Sequence, residues 1–528
     1  MTQSFKEDIL KKPLYWTAIG FTVCLSFFFD LANRTLSVDD LSRPYYIGEN
    51  KTMIASTRWG MQVWNDIFAS NEYVPFADKF MGVIFLILGG IIFSRLFYIY
   101  FKNCHYKLVL CTLFSCLYIS FPLINEIWSY NGANMMVTGN AMIVAISIFL
   151  LYDCNKLFSM KTLICSAIMT LVVSSYESGA FMYVTVVISV ILLDYIIFNK
   201  KDWLYKGIIY AIPLLLAVFL RYLIGFSLIR ILDLPYRKTG AVDIVWNMEN
   251  LRDTLTALLN NTIMFYFIRG LIYLPISVFV LSFIFGSVCI LIIAIQQKSF
   301  TIALLWFFLI LSLFFQSYIQ GYVMPYRTAQ TIHYFSAFSL MMVAFAISRT
   351  KKRVLTNTVL ILFSFVCYRQ SFFLNKTLAL NNQRSDYEAA IIREIGFRLK
   401  TFYDEKPIMF VGNVDLGENI NHQKHPVKST IGGYIYRKLA IHFNWGYDGT
   451  ILYDTNINSV LNWNIDAFRS QRMMAETFSY YGFDIEVVNF ESWHAHLARF
   501  YESIEKKGPF QPWEIRDMGN YIIVCFDI

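Results

Sequence analysis

Charged residues are scarce in this chain: Asp, Glu, Lys and Arg make up only 16% of 528 positions, hydrophobic residues make up 56%, and the mean hydropathy is +0.47. Soluble domains hold nearer 25% charged residues, so this polar content excludes an ordinary water-soluble globule. Paired cysteines are missing as well. The nine present (Cys24, Cys104, Cys111, Cys116, Cys154, Cys165, Cys289, Cys367 and Cys525) form no CxxC pair and have no His at metal-ligand spacing. They lie mainly in or beside apolar runs, which excludes a zinc ribbon and leaves packing as their role. The sequence has no nucleotide-binding loop, internal repeat or low-complexity tract. A net charge of +8 does not point to nucleic acid, because the basic residues fall in short segments between apolar runs, the pattern that encodes membrane topology.

Apolar runs long enough to cross about 30 Å of hydrocarbon as helices lie near 14 to 30, 79 to 100, 107 to 124, 134 to 152, 161 to 175, 178 to 198, 206 to 226, 271 to 295, 301 to 320, 331 to 348 and 354 to 374. The first has a basic flank (Lys11, Lys12) and no small-residue cleavage site, as in a retained signal anchor. With the amino terminus in the cytoplasm, alternation places Lys6, Lys11, Lys12, Lys102, Lys107, Lys156, Lys161, Lys200, Lys201, Lys206, Lys298, Arg349, Lys351, Lys352 and Arg353 on the cytoplasmic side, as the positive-inside rule requires. The outer side receives segments 31 to 78 and 227 to 270 and the tail. The expected class is a polytopic α-helical membrane protein of about eleven transmembrane helices, residues 1–375, followed by a small α/β extracytoplasmic domain, residues 376–528. Within the second outer segment, 251 to 270 carries Leu251, Leu255, Leu258, Leu259 and Ile263 on one helical face, a pattern for lying in the interface plane.

The tail changes composition near 376. Asn381 to Asp386 reads as a polar linker and Ala389 to Leu399 as an amphipathic helix. Strands are predicted at Pro407 to Val411, Ile485 to Val488 and Tyr521 to Phe526, and a helix at Arg469 to Tyr481. His442, Trp445, Asp448, Trp493, His494 and His496 there either contact a substrate or are ordinary packing and surface residues.

Ionisable groups at the outer helix ends carry most of the chemical information, since a charge at membrane depth costs on the order of 2.5–3.5 kcal/mol on insertion scales. The first helix runs into Asp30 and then Asp39-Asp40 with Arg34 and Arg43 on either side. Adjacent carboxylates repel, which raises one pKa toward the range of a base; a solvated helix start is the plain alternative. The same side carries Arg58-Trp59-Gly60, Glu126, Glu177 at the break between helices five and six, and Tyr326-Arg327 between helices nine and ten. Arginine offers a fork matched to phosphate oxygens, or it snorkels to lipid headgroups. Trp59, Trp128 and Tyr326 either stack on sugar rings or belong to the interfacial aromatic belt.

The acidic pair directly after helix one resembles the opening of the GT-C superfamily of membrane glycosyltransferases. The run Ser37-Val38-Asp39-Asp40-Leu41-Ser42-Arg43, then Gly48 and Arg58-Trp59-Gly60, narrows this to the GtrII-type glucosyltransferases that modify bacterial O antigen and change serotype. Pro122 to Met136 with Glu126, Ser175-Tyr176-Glu177, Asp386 to Ile395 and Gly519 to Val524 agree with the same resemblance. It implies a polyprenyl-phosphate-linked hexose, typically glucose, transferred at the periplasmic face of the bacterial inner membrane to a lipid-linked O-antigen repeat. It further implies partners that make and flip the donor, and no cofactor. Asp39 or Asp40 would deprotonate the acceptor hydroxyl for a single inverting displacement. Arg58 or Arg327 would stabilise the departing phosphate, with Arg43, Trp59 and Tyr326 as further substrate contacts. Glu126 and Glu177 would bind sugar hydroxyls or serve as the alternative base. An arginine-neutralised monophosphate leaving group needs no obligatory metal. An O-antigen polymerase is the nearest enzyme alternative, and a lipid or polysaccharide transporter, which would carry polar or broken helices near the midplane, is the alternative from another class.

Overall fold

Where no water is available, a backbone satisfies all its polar groups internally only as a helix or a closed barrel, and the apolar runs of this chain fold as helices. The computed structural model describes residues 9–33, 51–68, 75–122, 124–128, 134–236, 251–268, 274–321, 328, 330–350, 352–402, 406–411, 475, 478–479, 481–488 and 514–525. The chain divides into two units, the first covering 1–32, 49–128 and 132–377 and the second taking up the chain from Leu378.

In the first unit α1 is Pro13–Ala32, α2 Lys51–Ala55, α3 Trp59–Phe68, α4 Pro75–Tyr100, α5 Lys107–Ile119, α6 Ile124–Trp128, α7 Asn134–Leu151 and α8 Met160–Ser175. There follow α9 Ser178–Phe198, α10 Trp203–Ile231, α11 Leu251–Thr262, a π-helical turn Ile263–Ile268, α12 Leu274–Gln296, α13 Phe300–Leu313, α14 Phe315–Gln320, α15 Gln330–Ser348 and α16 Arg353–Phe402. Among the described residues eight helices (α1, α4, α7, α9, α10, α12, α15 and the first part of α16) are long and apolar enough to cross a membrane. Three shorter apolar helices, α5, α8 and α13, have 13, 16 and 14 residues. The protein is a polytopic membrane protein. Helix α4 packs on α5 and α7, α7 on α8, α8 on α10, α9 on α13 and α15, and α12 on α15.

Polar contacts define the two ends of this bundle. At one end Lys79, in the first turn of α4, reaches Asp30 in the last turn of α1 at 2.9 Å. There too the backbone N–H of Met135 donates to Asp78 at 3.3 Å, and Gln330 at the start of α15 donates to Ser178 at the start of α9 at 2.9 Å. At the other end the Tyr100 hydroxyl donates to Asp194 at 3.1 Å, Lys206 pairs with the same carboxylate, and Lys200 approaches it at 3.7 Å. The Asp30 and Lys79 side chains are 0% and 4% exposed. Removing one partner of a buried pair is strongly destabilising, by about 3–5 kcal/mol, because the other charge loses its nearest opposite charge. Lys79→Met is therefore expected to lower the unfolding temperature of the purified protein sharply, and Lys79→Met with Asp30→Asn to recover most of it in the same thermal scan; equal losses for both would contradict this.

Helices α2 and α3 form a short pair laid against one end of the bundle, α2 on α10 and α3 on α8. The α3 residue Trp64 is buried, its ring 5.4 Å from Phe68 and 5.5 Å from Phe85. It lies over Gly139 of α7, where any Cβ would overlap the indole. Helix α11 exposes Leu251, Leu255 and Leu259 and buries Leu258.

In the second unit the later part of α16 packs Ile392, Ile395 and Leu399 against Ile408, Phe410, Phe478, Phe483, Ile522 and Val524. The strands are β1 Ile408–Val411, β2 Ile515–Asp517 and β3 Ile522–Cys525. Their order is β1-β3-β2, with β1 parallel to β3 (Ile408 opposite Ile522) and β2 antiparallel to it (Ile515 opposite Val524). Gly519, at φ +92°, turns the chain between β2 and β3; a side chain would strain that conformation. The predicted strand at 485–488 is a single bridge, Val487 to Ile408, and β2 has no counterpart among the predicted strands.

One expectation is overturned. Asn381 to Asp386 is no linker, since α16 runs without a break from Arg353 to Phe402. Asn, Gln, Arg and Ser lower helix propensity only slightly, no proline occurs in those 50 residues, and Gly396 is the sole glycine. Most of the predicted helix at 469 to 481, and His442, Trp445, Asp448, Trp493, His494 and His496, lie outside the described residues.

Candidate functional site

Two local interruptions build the site. Between α8 and α9 the chain breaks at Tyr176-Glu177, with Tyr176 extended (φ −150°, ψ 120°) and Glu177 capping α9 without a side-chain bond to the helix. The carboxylate is thereby free to turn elsewhere, at a helix start whose partial positive charge favours an anion. Between α2 and α3, Thr57 adopts φ +60°. A β-branched residue in the left-handed region is uncommon and costs of order 1–3 kcal/mol, so packing must hold it there. Thr57 is buried, and Gly225 of α10 leaves room for it: a Cβ on Gly225 would come within 3.0 Å of the Thr57 Cβ. On the next turn Gly60 lies so near Ser174, Ser175 and the Leu171 carbonyl that an added Cβ would collide with all three. The strained turn and the close helix contact aim Arg58 at the break.

Arg58 meets Glu177 as a fork, Nε donating to Oε1 at 3.2 Å and Nη2 to Oε2 at 2.9 Å. Arg221, from within α10, donates through Nη2 to Oε1 of the same carboxylate at 2.8 Å and to the Thr57 hydroxyl at 3.5 Å. The Trp59 indole N–H donates to the Arg221 carbonyl at 3.3 Å. Thr57, Arg58 and Trp59 thus all close on Arg221 or on the carboxylate it holds. Side-chain exposure falls from 20% at Glu177 and 15% at Arg58 to 4% at Arg221, so Arg58 and Glu177 form the accessible edge and Arg221 the support beneath. Burial by itself would raise the Glu177 carboxyl; the Arg58 and Arg221 charges and hydrogen bonds outweigh it and hold the group below the ordinary carboxylate value.

Of the residues singled out in the sequence, Arg58, Trp59 and Glu177 come together. Glu126 is on the short helix α6. Asp39, Asp40, Arg43, Tyr326 and Arg327 lie outside the described residues. Trp128 is fully buried, its ring 4.8 Å from Phe27, so in this structure it packs the bundle instead of offering a face to a sugar. Arg221 lies within the apolar run 206 to 226 and is not among the residues singled out above. The signal that finds it is a lone ionisable residue between Leu220 and Tyr222 in a membrane-crossing helix, which needs a partner inside the protein. Among the described residues no three His, Cys, Asp or Glu side chains are grouped closely enough to hold a metal ion.

Two guanidiniums on one carboxylate leave spare cationic charge beside an accessible edge, an arrangement that can grip an anion or stabilise a departing one. No curated protein and no solved structure matches the chain. The family model for Glucosyl transferase GtrII does match, over residues 28–344, which spans more than half of the sequence and takes in Arg58, Glu177 and Arg221; the chain belongs to that glucosyltransferase family.

Proposed function

We propose that this glucosyltransferase moves a hexose, glucose in the first instance, from a polyprenyl-phosphate donor onto a lipid-linked O antigen or other surface polysaccharide at the periplasmic face of the inner membrane. The observation that carries the proposal is the Arg58–Arg221 pair around Glu177 at one end of a membrane bundle in a chain matched by a glucosyltransferase family. A phosphate-bearing lipid brings its headgroup to that depth. In this reading the eleven apolar segments all cross the membrane and the amino terminus is cytoplasmic. Lys102, Lys107, Lys156, Lys161, Lys200 and Lys206 flank the cytoplasmic end, and residues 376–528 form a periplasmic domain.

The reaction is a direct displacement. The acceptor hydroxyl oxygen forms its bond to the anomeric carbon while the bond from that carbon to the phosphate oxygen breaks, the electron pair leaving with the phosphate. Asp39 or Asp40 takes the acceptor proton, and Arg58 or Arg327 meets the charge that develops on the phosphate. The partners are the donor lipid, the lipid-linked acceptor, surrounding lipids, a small flippase and a donor-synthesising transferase. The test is purified protein in lipid nanodiscs supplied with polyprenyl-phosphate glucose and O-antigen acceptor, the product followed by mass spectrometry. Appearance of an acceptor heavier by one hexose, with matching consumption of donor, is expected. Donor left intact while lipid-linked sugar crosses proteoliposomes would favour a transporter, and lengthening of the acceptor by whole repeats a polymerase.

A further inference from the structure

Resting on the donor class proposed above, we propose that Glu177 is a fixed counter-charge and not a proton acceptor. It sets the net charge of the cluster at plus one, matched to a phosphodiester monoanion, and Arg221 is the positioning residue that holds Arg58 toward it.

The geometry argues this in three steps. Both carboxylate oxygens of Glu177 are engaged, Oε1 by two donors and Oε2 by one. Protonating it would set two guanidiniums side by side with nothing between them, which like-charge repulsion opposes. A base must take a proton readily; this carboxylate is placed to refuse one. Next, among the described residues two cations and one anion leave a single positive charge. A sugar joined to a lipid through one phosphate is a diester with one negative charge, whereas lipid diphosphates carry more. As the anomeric bond breaks, the diester becomes a monoester and gains charge, so a fixed surplus cation binds the later state more strongly than the earlier one. That difference lowers the barrier. Last, Arg221 is buried and touches the turn at Thr57 and Trp59 as well as Glu177, so it governs where Arg58 points.

Lipid binding and turnover, measured separately on the full chain in nanodiscs, test the proposal. The probes are polyprenyl-phosphate glucose, polyprenyl phosphate and polyprenyl diphosphate. Glu177→Gln is expected to raise affinity for the diphosphate more than for the diester donor, because the added net positive charge attracts the more highly charged headgroup more strongly. Glu177→Gln should bind polyprenyl phosphate about tenfold more tightly, turn over more slowly through retained product, and keep the acid limb of its pH–rate profile. Arg221→Gln should raise the donor KM about tenfold, with partial rescue in Arg221→Lys, which keeps the charge in the bundle but lacks the fork. Glu177→Gln that loses turnover with unchanged lipid affinity and a flattened acid limb would make Glu177 the base and overturn the proposal. So would Arg221→Gln and Arg221→Lys folding with wild-type donor affinity. Because affinities are read without transfer, a Glu177→Gln gain in lipid affinity in a protein whose wild type transfers nothing would refute the glycosyltransferase mechanism and leave the counter-charge role standing.

Discussion

Arg58→Ala is expected to lower kcat/KM for lipid-phosphate glucose by about 10²–10³-fold, the usual cost of removing one preorganised donor to a developing oxyanion. Arg58→Lys should recover only part of that, because an ammonium cannot make the paired Nε and Nη2 contacts that Arg58 makes with Glu177. The effect should fall on both binding and turnover, since the side chain is at the accessible edge of the cluster and meets the phosphate before and after the bond breaks. Steady-state kinetics with donor varied at saturating acceptor separates the two. A change confined to thermal stability, with kcat/KM unaltered in the folded fraction, would reduce Arg58 to a structural partner of Glu177.

The acidic pair gives the other large effect. Asp39→Asn with Asp40→Asn is expected to cut transfer by about 10²–10⁴-fold, the range for loss of a general base, while donor affinity stays near wild type. The pH dependence separates these residues from Glu177. The carboxyl of Glu177 is held below its ordinary value, so it takes up a proton only as the pH falls below the usual carboxylate range. The ion pairs it makes, and the stability they lend, are fully present above its unfolded-state value and are lost as the pH falls through the depressed one. An acid limb at mildly acidic pH is therefore not its titration. That limb should vanish, along with most of the rate, in the Asp39 and Asp40 variants and persist in Glu177→Gln. Full activity in the folded double variant would remove both aspartates from the mechanism.

Hydropathy and charge spacing made much of the membrane unit legible in advance, because a segment crossing lipid must be both long and apolar. The break at Tyr176-Glu177 was visible as a polar interruption between two apolar runs. Segment 381–386 has a linker's composition without a linker's backbone: nothing in Asn381 to Asp386 stops a helix, and α16 passes straight through. The site was half legible. Arg58 and Glu177 stood out as charges at helix ends, but their pairing across 119 positions of sequence depends on how α3 packs on α8. Arg221 was hidden for the opposite reason, since its apolar neighbours make the helix and a hydropathy window averages the guanidinium away. Thr57 could not have been found at all. Its role follows from a backbone angle, φ +60°, that its residue type disfavours.

The most direct test is phosphorus NMR of polyprenyl phosphate in nanodiscs containing the protein. Wild type is expected to shift the headgroup resonance on binding. Arg58→Ala should abolish that shift, and Glu177→Gln should retain it at lower lipid concentration. An identical shift in wild type and Arg58→Ala would show that the phosphate sits elsewhere and would contradict the account.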